Sequence, residues 1–184
     1  ADGISVVWAS SFLYNKHLEK MNARAWIKDF AIRAGQAGLK LFLFGGREGI
    51  AQRAAALLAS SAPGLEIAGS CAGFFSPTQE PEIVQEINQS GANILMVGLG
   101  TPLQEEWISH HRQALTVPLC WSVGALFDYL AGNEKQVQVV WERNGLEWLW
   151  RLGQDPRGKW QRYLLGNPQF IWRVWQQKRA MRQT

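Results

Sequence analysis

Four times along the chain an uninterrupted apolar run stops at a glycine or just short of one and gives way to residues with helical spacing. The runs are "LKLFLFGG" (39–46), "LEIAG" (65–69), "NILMVGLG" (93–100) and "PLCWSVG" (118–124); "ISVVWAS" (4–10) adds a fifth strand candidate. A strand covered on one side alternates apolar and polar residues. These runs do not alternate, so both faces of the sheet are expected to be covered, as in parallel sheets. Between them the apolar residues share helical faces: Ile50, Ala54, Leu57 and Leu58; Ile83, Val84 and Ile87; Leu103, Trp107, Ile108 and Leu115. Strand, short loop and helix, repeated, predict an α/β fold with right-handed crossovers and a Rossmann-like, mostly parallel sheet flanked by helices. Ligands of such sheets sit at the carboxyl ends of the strands. Here those ends are Gly45-Gly46, Gly69, Gly98 to Gly100 and Val123-Gly124.

Beyond Gly132 the pattern changes. Residues 139–152 read as a helix with an aromatic stripe, and 155–184 as two further helices split at Gly166-Asn167-Pro168. The expected division is an α/β core over 1–140 and a C-terminal helical appendage over 141–184. The net charge of +4 is unevenly spread. Residues 141–184 hold nine Lys/Arg, three Asp/Glu and six of the ten Trp, a net of +6, which leaves −2 on 1–140. Phe170, Ile171, Val174 and Trp175 share a face, and Arg173, Lys178, Arg179 and Arg182 supply charge. This fits an amphipathic helix on an anionic membrane surface, or a helix docked on its own domain. Nucleic acid is a poor match for the acidic body, and no motif for it is present. No apolar run is long enough to span a bilayer. Two cysteines, Cys71 and Cys120, make no disulfide framework, so a reducing compartment is expected. The chain opens in mid-pattern on "ADGISVVWAS", so an upstream segment is expected as well.

The glycine turns are candidate ligand sites. "GGREGIAQRAA" (45–55) offers backbone N–H groups and a helix dipole to a phosphate, and equally makes a tight strand-to-helix turn. It is neither a P-loop nor a full G-x-G-x-x-G, and no acidic residue ends the second strand, which argues against a dehydrogenase. In "GTPLQEEW" (100–107), Thr101 as N-cap, Pro102 at N1 and Gln104 at N3 make a capping box, and Glu105 and Glu106 suit the positive helix end. Capping does not explain why the turn needs both Gly98 and Gly100. Asp128, four residues past Gly124, serves either a helix start or a sugar or nucleotide contact. Asp2-Gly3 is a turn signal, and an acid at a sheet edge is also placed to act as a base. His17, His110 and His111 lack partners at ligand spacing, so no metal site is read. No nucleophile motif is present.

The segments "DG" (2–3), "GG" (45–46), "PGLEIAGSCAGFF" (63–75), "EINQSGANILMVGLGTPLQEEW" (86–107), "VGALFDYLAG" (123–132), "GLEWLWRL" (145–152) and "DP" (155–156) occur in one order over nearly the whole chain. This set resembles the WecG/TagA/CpsF glycosyltransferases. The resemblance implies a bacterial inverting transferase with no metal and no cofactor. Its relatives move an N-acetylmannosamine-type sugar from a UDP donor to a polyprenyl-diphosphate-linked N-acetylglucosamine. They work at the cytoplasmic, inner face of the plasma membrane, on the way to teichoic acid, enterobacterial common antigen or capsule. Their C-terminal appendage holds the protein on the membrane and completes the active site.

By the same resemblance Asp2 is the base on the acceptor hydroxyl, Gln104 a pocket residue, and Arg151 an arginine facing the diphosphate. Gly45, Gly46, Gly98, Gly100, Thr101, Glu105, Gly124, Asp128, Arg157 and Arg162 complete the expected substrate-binding set. The chemistry requires a base on the attacking hydroxyl and positive charge on the leaving diphosphate. Without a metal, arginine forks and helix N-termini supply that charge. The chain also departs from the family pattern. The Thr-x-Asn element before "DG" is absent, and Ser5 replaces a glycine. Lys20 stands where an arginine is usual, and Gln136-Val137-Gln138 replaces R-A-P. Gly158 and Gln161 occupy positions often basic in relatives. Each lost charge-assisted contact costs about 1.5–3 kcal/mol. The second reading is therefore a non-catalytic or weakened homologue that binds a sugar nucleotide or a lipid-linked sugar.

Overall fold

The computed structural model describes residues 4–19, 23–132, 147–154 and 156–181. The chain divides into two compact units, one of residues 23–135 and one of 1–22 with 136–184.

The first unit is an α/β sandwich. Its order is α2 (Ala23–Gln36), β1 (Lys40–Gly45), α3 (Ile50–Ser61), β2 (Glu66–Cys71), α4 (Glu80–Gln89), β3 (Ile94–Gly98), α5 (Leu103–His111), β4 (Leu119–Ser122) and α6 (Leu126–Leu130). The four strands form one parallel sheet in the order β2-β1-β3-β4. Alternate residues of each central strand feed different cores. Leu41, Leu43, Ile94 and Met96 pack with α2, α3 and α6, whereas Phe42, Phe44, Leu95 and Val97 pack with Ile83, Val84 and Ile87 of α4 and Trp107 of α5. Burial on both faces is why these strands carry no polar alternation.

Two apolar positions lie elsewhere than their spacing implies. Leu57 and Leu103 are exposed. The face of α3 closes instead with Ile50, Ala51, Ala54, Ala55 and Leu58, and its three alanines let the helix approach the sheet. Helix α5 ends at His111, so Leu115 reaches the core from the following loop.

Residues 4–10 are not a strand. They belong to helix α1 (Ile4–Tyr14), the first element of the second unit. A short apolar run is compatible with either state, and here length decides: eleven residues exceed an ordinary strand. Asn15, at φ 53°, ends the helix in the left-handed conformation, its N–H bonded to Ser11 O at 3.0 Å. The C-terminal elements are α7 (Glu147–Gln154), α8 (Pro156–Trp160) and α9 (Asn167–Ala180). Gly166-Asn167-Pro168 does not split them with a loop. Gln161–Gly166 winds as a wide π-type turn that runs straight into α9. Pro168 falls in the first turn of α9, where its missing N–H costs nothing. Ala9 and Leu13 of α1 pack against Val174 and Phe170 of α9.

Candidate active site

The loops that leave the carboxyl ends of the strands enclose a cavity of about 710 Å³. Gly46 and Arg47 follow β1, the segment Gly73 to Gln79 follows β2, and Gly98 and Leu99 close β3; Leu103 and Asp128 complete the wall. Close backbone contact holds these loops together. Gly45 pairs with Gly98 across the sheet, and a Cβ on Gly45 would lie 2.4 Å from Gly98 O, so only glycine fits. The next N–H, that of Gly46, donates to Gly98 O at 3.1 Å, and Gly73 N–H donates to Gly46 O at 2.8 Å. The β2 loop is thereby laid across the β1 turn. Its far end is fixed by Gln79, whose Oε1 accepts the Ser76 N–H at 2.8 Å.

The capping box expected at Thr101 does not form. Pro102 occupies the cap position, after a cis Thr101–Pro102 peptide, and no side chain caps α5. The helix starts one residue later than the motif implies, and the Gln104 side chain bonds other groups than the backbone it was expected to cap. Gln104 is instead buried, at 4% exposure. Its Oε1 accepts the Gly124 N–H at 2.9 Å, and its Nε2 donates to Glu105 Oε1 at 2.7 Å and to Thr101 Oγ1 at 3.3 Å. Both ends of the amide are thus committed, and they tie the β3 loop to the β4 loop.

Of the residues expected to bind substrate, Gly46, Gly98 and Asp128 line the cavity. Gly45 at the end of β1, Gly100, Thr101 and Gly124 in the loops, and Gln104 and Glu105 in the first turn of α5 lie at the same sheet edge without forming its wall. Arg157 is exposed on α8 in the other unit. Asp2 lies outside the described residues, as do the side chains of Arg151 and Arg162 and the departures at 136–138.

Sequence reasoning missed Arg47, Phe74 and Phe75 as wall residues. Phe74 is 76% exposed, a large aromatic held open at the cavity. The pair of aromatics directly after Gly73 was the available signal. Arg47 carried only its place next to a glycine turn.

The cysteines are free and unsuited to nucleophilic work. Burial, reinforced by Glu86, pushes the Cys71 thiol up to about 12. Burial also raises Cys120, against the opposing pull of Arg112. Both therefore stay protonated near neutrality. His111 packs against Trp107 with the rings tilted by 46°, and its Nε2 lies 3.1 Å from Glu80 Oε1. That approach is an ion-pair distance without hydrogen-bond geometry. Among the described residues no three His, Cys, Asp or Glu side chains gather as a metal-ligand group.

A parallel sheet with a cavity at its carboxyl edge is common to many activities, so the fold leaves the chemistry open. A family model for glycosyl transferases matches residues 1–184, the whole chain. The chain belongs to the WecG/TagA/CpsF family. This family of glycosyl transferases acts in cell-surface polysaccharide synthesis. The charged residues of the cavity wall are Arg47 and Asp128.

Proposed function

We propose that the protein is an inverting transferase that moves an N-acetylhexosamine-type sugar, N-acetylmannosamine-like, from a UDP donor to a polyprenyl-diphosphate-linked acceptor. The observation that carries this reading is the cavity at the carboxyl edge of the parallel sheet in a chain of this family. Its volume suits a small-molecule ligand, which such sites bury among apolar walls with a few polar groups. Phe74, Leu99 and Leu103 offer apolar surface to a base or an N-acetyl group, and Arg47 offers a guanidinium to a diphosphate.

In the reaction the acceptor hydroxyl loses its proton to a carboxylate as its oxygen attacks the anomeric carbon. The bond from that carbon to the diphosphate oxygen breaks, UDP departs, and the configuration inverts. Resemblance in sequence gives the carboxylate role to Asp2. Arg47 offers positive charge to the leaving diphosphate without a divalent metal, and resemblance in sequence gives Arg151 the same role. Gln104 acts by holding two of the site loops in place, and Asp128 by accepting from a sugar or ribose hydroxyl. The basic appendage keeps the enzyme on the inner face of the plasma membrane, where a polyprenyl acceptor resides.

The test is release of UDP from a UDP-N-acetylhexosamine in the presence of bacterial membranes and EDTA. Transfer is expected without added divalent metal. It is expected to vanish in Asp2→Ala while the melting profile is kept. Turnover that needs Mg²⁺ removes the metal-free mechanism, and a wild-type rate in Asp2→Ala removes Asp2. UDP binding with no transfer to any membrane acceptor assigns the protein to the second reading, a binding homologue.

A further inference from the structure

We infer that Gln79 is a specificity-determining residue of the cavity, donating from Nε2 to a carbonyl oxygen of the sugar nucleotide. The inference deepens the reading of the cavity as a donor pocket and rests on it. Gln79 was not among the residues that sequence reasoning assigned to the site.

The segment "SPTQ" (76–79) fixes the polarity of this one amide. Ser76 is extended, at φ −82° and ψ 155°, and caps a tight helical turn, Pro77–Gln79, that leads into α4. Pro77 opens that turn, where no N–H is needed. Ser76 and Gln79 close it as a full capping box. Gln79 Oε1 accepts the Ser76 N–H at 2.8 Å and the Ser76 hydroxyl at 3.1 Å. A backbone N–H only donates, so the oxygen of the amide and not its nitrogen must face it. The turn therefore decides which end of Gln79 is left over. It is Nε2, with two hydrogens and, among the described residues, no acceptor.

Gln79 lines the cavity. Among the wall side chains, Arg47, Ser76 and Gln79 carry hydrogen-bond donors. The Ser76 hydroxyl gives its hydrogen to Gln79 Oε1, and its oxygen meets Thr78 Oγ1 at 2.8 Å, so it is spent inside the loop. Arg47 is a cation and matches a phosphate. Gln79 is thus the neutral donor of the wall. Asp128 serves the hydroxyls of a sugar nucleotide, which donate. The neutral oxygens of such a ligand that only accept are its carbonyls, and these complement Nε2.

Phe74 points to the same chemistry. It is 76% exposed, whereas its neighbour Phe75 packs on the Phe44 ring at 5.5 Å. An open aromatic face and an N–H donor on one short loop suit a flat group that carries a carbonyl, either the uracil ring or the N-acetyl group. The loop is also held in place without a ligand. Gly73 N–H bonds Gly46 O, Phe75 anchors the middle and the capping box closes the far end. Little ordering is then left to the binding step.

The test is calorimetric binding of uridine, UDP, UDP-glucose and UDP-N-acetylglucosamine to the whole chain and to two variants. Gln79→Glu keeps an oxygen for the Ser76 N–H, since S-x-x-E is itself a capping box, but it loses the donor. Gln79→Met, neutral and of similar length, loses both donor and box. Both variants are expected to weaken binding roughly 3- to 10-fold, the worth of one neutral hydrogen bond, wherever the ligand carries the carbonyl. Gln79→Glu is expected to melt like the parent. Loss across all four ligands puts the contact on uracil, and loss confined to UDP-N-acetylglucosamine puts it on the N-acetyl group. Parental affinities in Gln79→Glu, with or without losses in Gln79→Met, make Gln79 a structural cap and overturn the inference. A loss in Gln79→Glu alone, shared by UDP and erased by high salt, is repulsion of the diphosphate and overturns it too. A parent chain that binds none of the four ligands overturns the sugar-nucleotide reading itself, and Gln79 with it; that failure is seen without any variant.

Discussion

At the scale of single residues, Gln104 carries the clearest prediction. Its one amide bonds Thr101 and Gly124 on two loops and Glu105 within α5, and it is buried. Gln104→Ala removes the acceptor for Gly124 N–H and leaves that donor without its partner, at a cost of about 1–3 kcal/mol. Chemical denaturation is expected to show that loss, and transfer is expected to fall with it because the two site loops lose their tie. A second prediction concerns Cys71. Burial, reinforced by Glu86, pushes the folded Cys71 thiol up to about 12, from an ordinary value of 9.0. The folded state therefore holds the proton longer than the unfolded state, and stability present below about pH 9 is lost as pH rises toward 12. Lysines and tyrosines titrate in the same window, so the measurement is a difference. Cys71→Ala is expected to lose less stability than the parent between pH 9 and 11, and equal slopes for the two proteins would refute this.

At the scale of elements, the four strands were legible because burial on both faces writes a continuous apolar run, and the glycine ends were legible because Gly45 and Gly98 pass too closely for any side chain. Helix α1 was not legible for the converse reason. It buries one narrow face and leaves Ile4, Trp8 and Phe12 exposed, so its hydrophobicity has no period to read. Its stop signal was present in Asn15, a residue that tolerates positive φ at a helix end. The site was legible only as far as its turns. Arg47 is an isolated exposed residue and leaves no pattern, whereas Phe74 was marked only by its pairing with Phe75 after Gly73. The Asn15 signal can be tested directly. Asn15→Gly keeps the left-handed position open and is expected to be near neutral. Asn15→Val puts a β-branched side chain there, at about 1–2 kcal/mol, and is expected to shorten α1 and lower helix content. Equal melting of the two variants would mean that Asn15 does not set the end of α1.

At the scale of the whole molecule, the two units differ in charge as well as in contacts. Residues 23–135 carry a net −2 and residues 1–22 with 136–184 a net +6, so the cavity sits in the less basic unit. Within the wall of that cavity Arg47 is the basic side chain, beside Asp128. A donor diphosphate held there should depend strongly on Arg47, and its binding should stabilise the α/β unit by mass action. At a UDP concentration one hundred times its dissociation constant, the gain is about 2.7 kcal/mol, which for a unit of this size raises the melting temperature by roughly 10 °C. The shift is expected to persist in EDTA. Arg47→Ala should weaken UDP binding about 10- to 100-fold, the equivalent of about 1.5–3 kcal/mol for one charge-assisted contact. Uridine, which lacks the diphosphate, should bind parent and variant alike. That comparison separates a phosphate role from a structural one, because a collapsed wall would weaken both ligands. Equal loss of uridine and UDP affinity in Arg47→Ala would therefore take the guanidinium away from the leaving group and make it a support of the β1 loop.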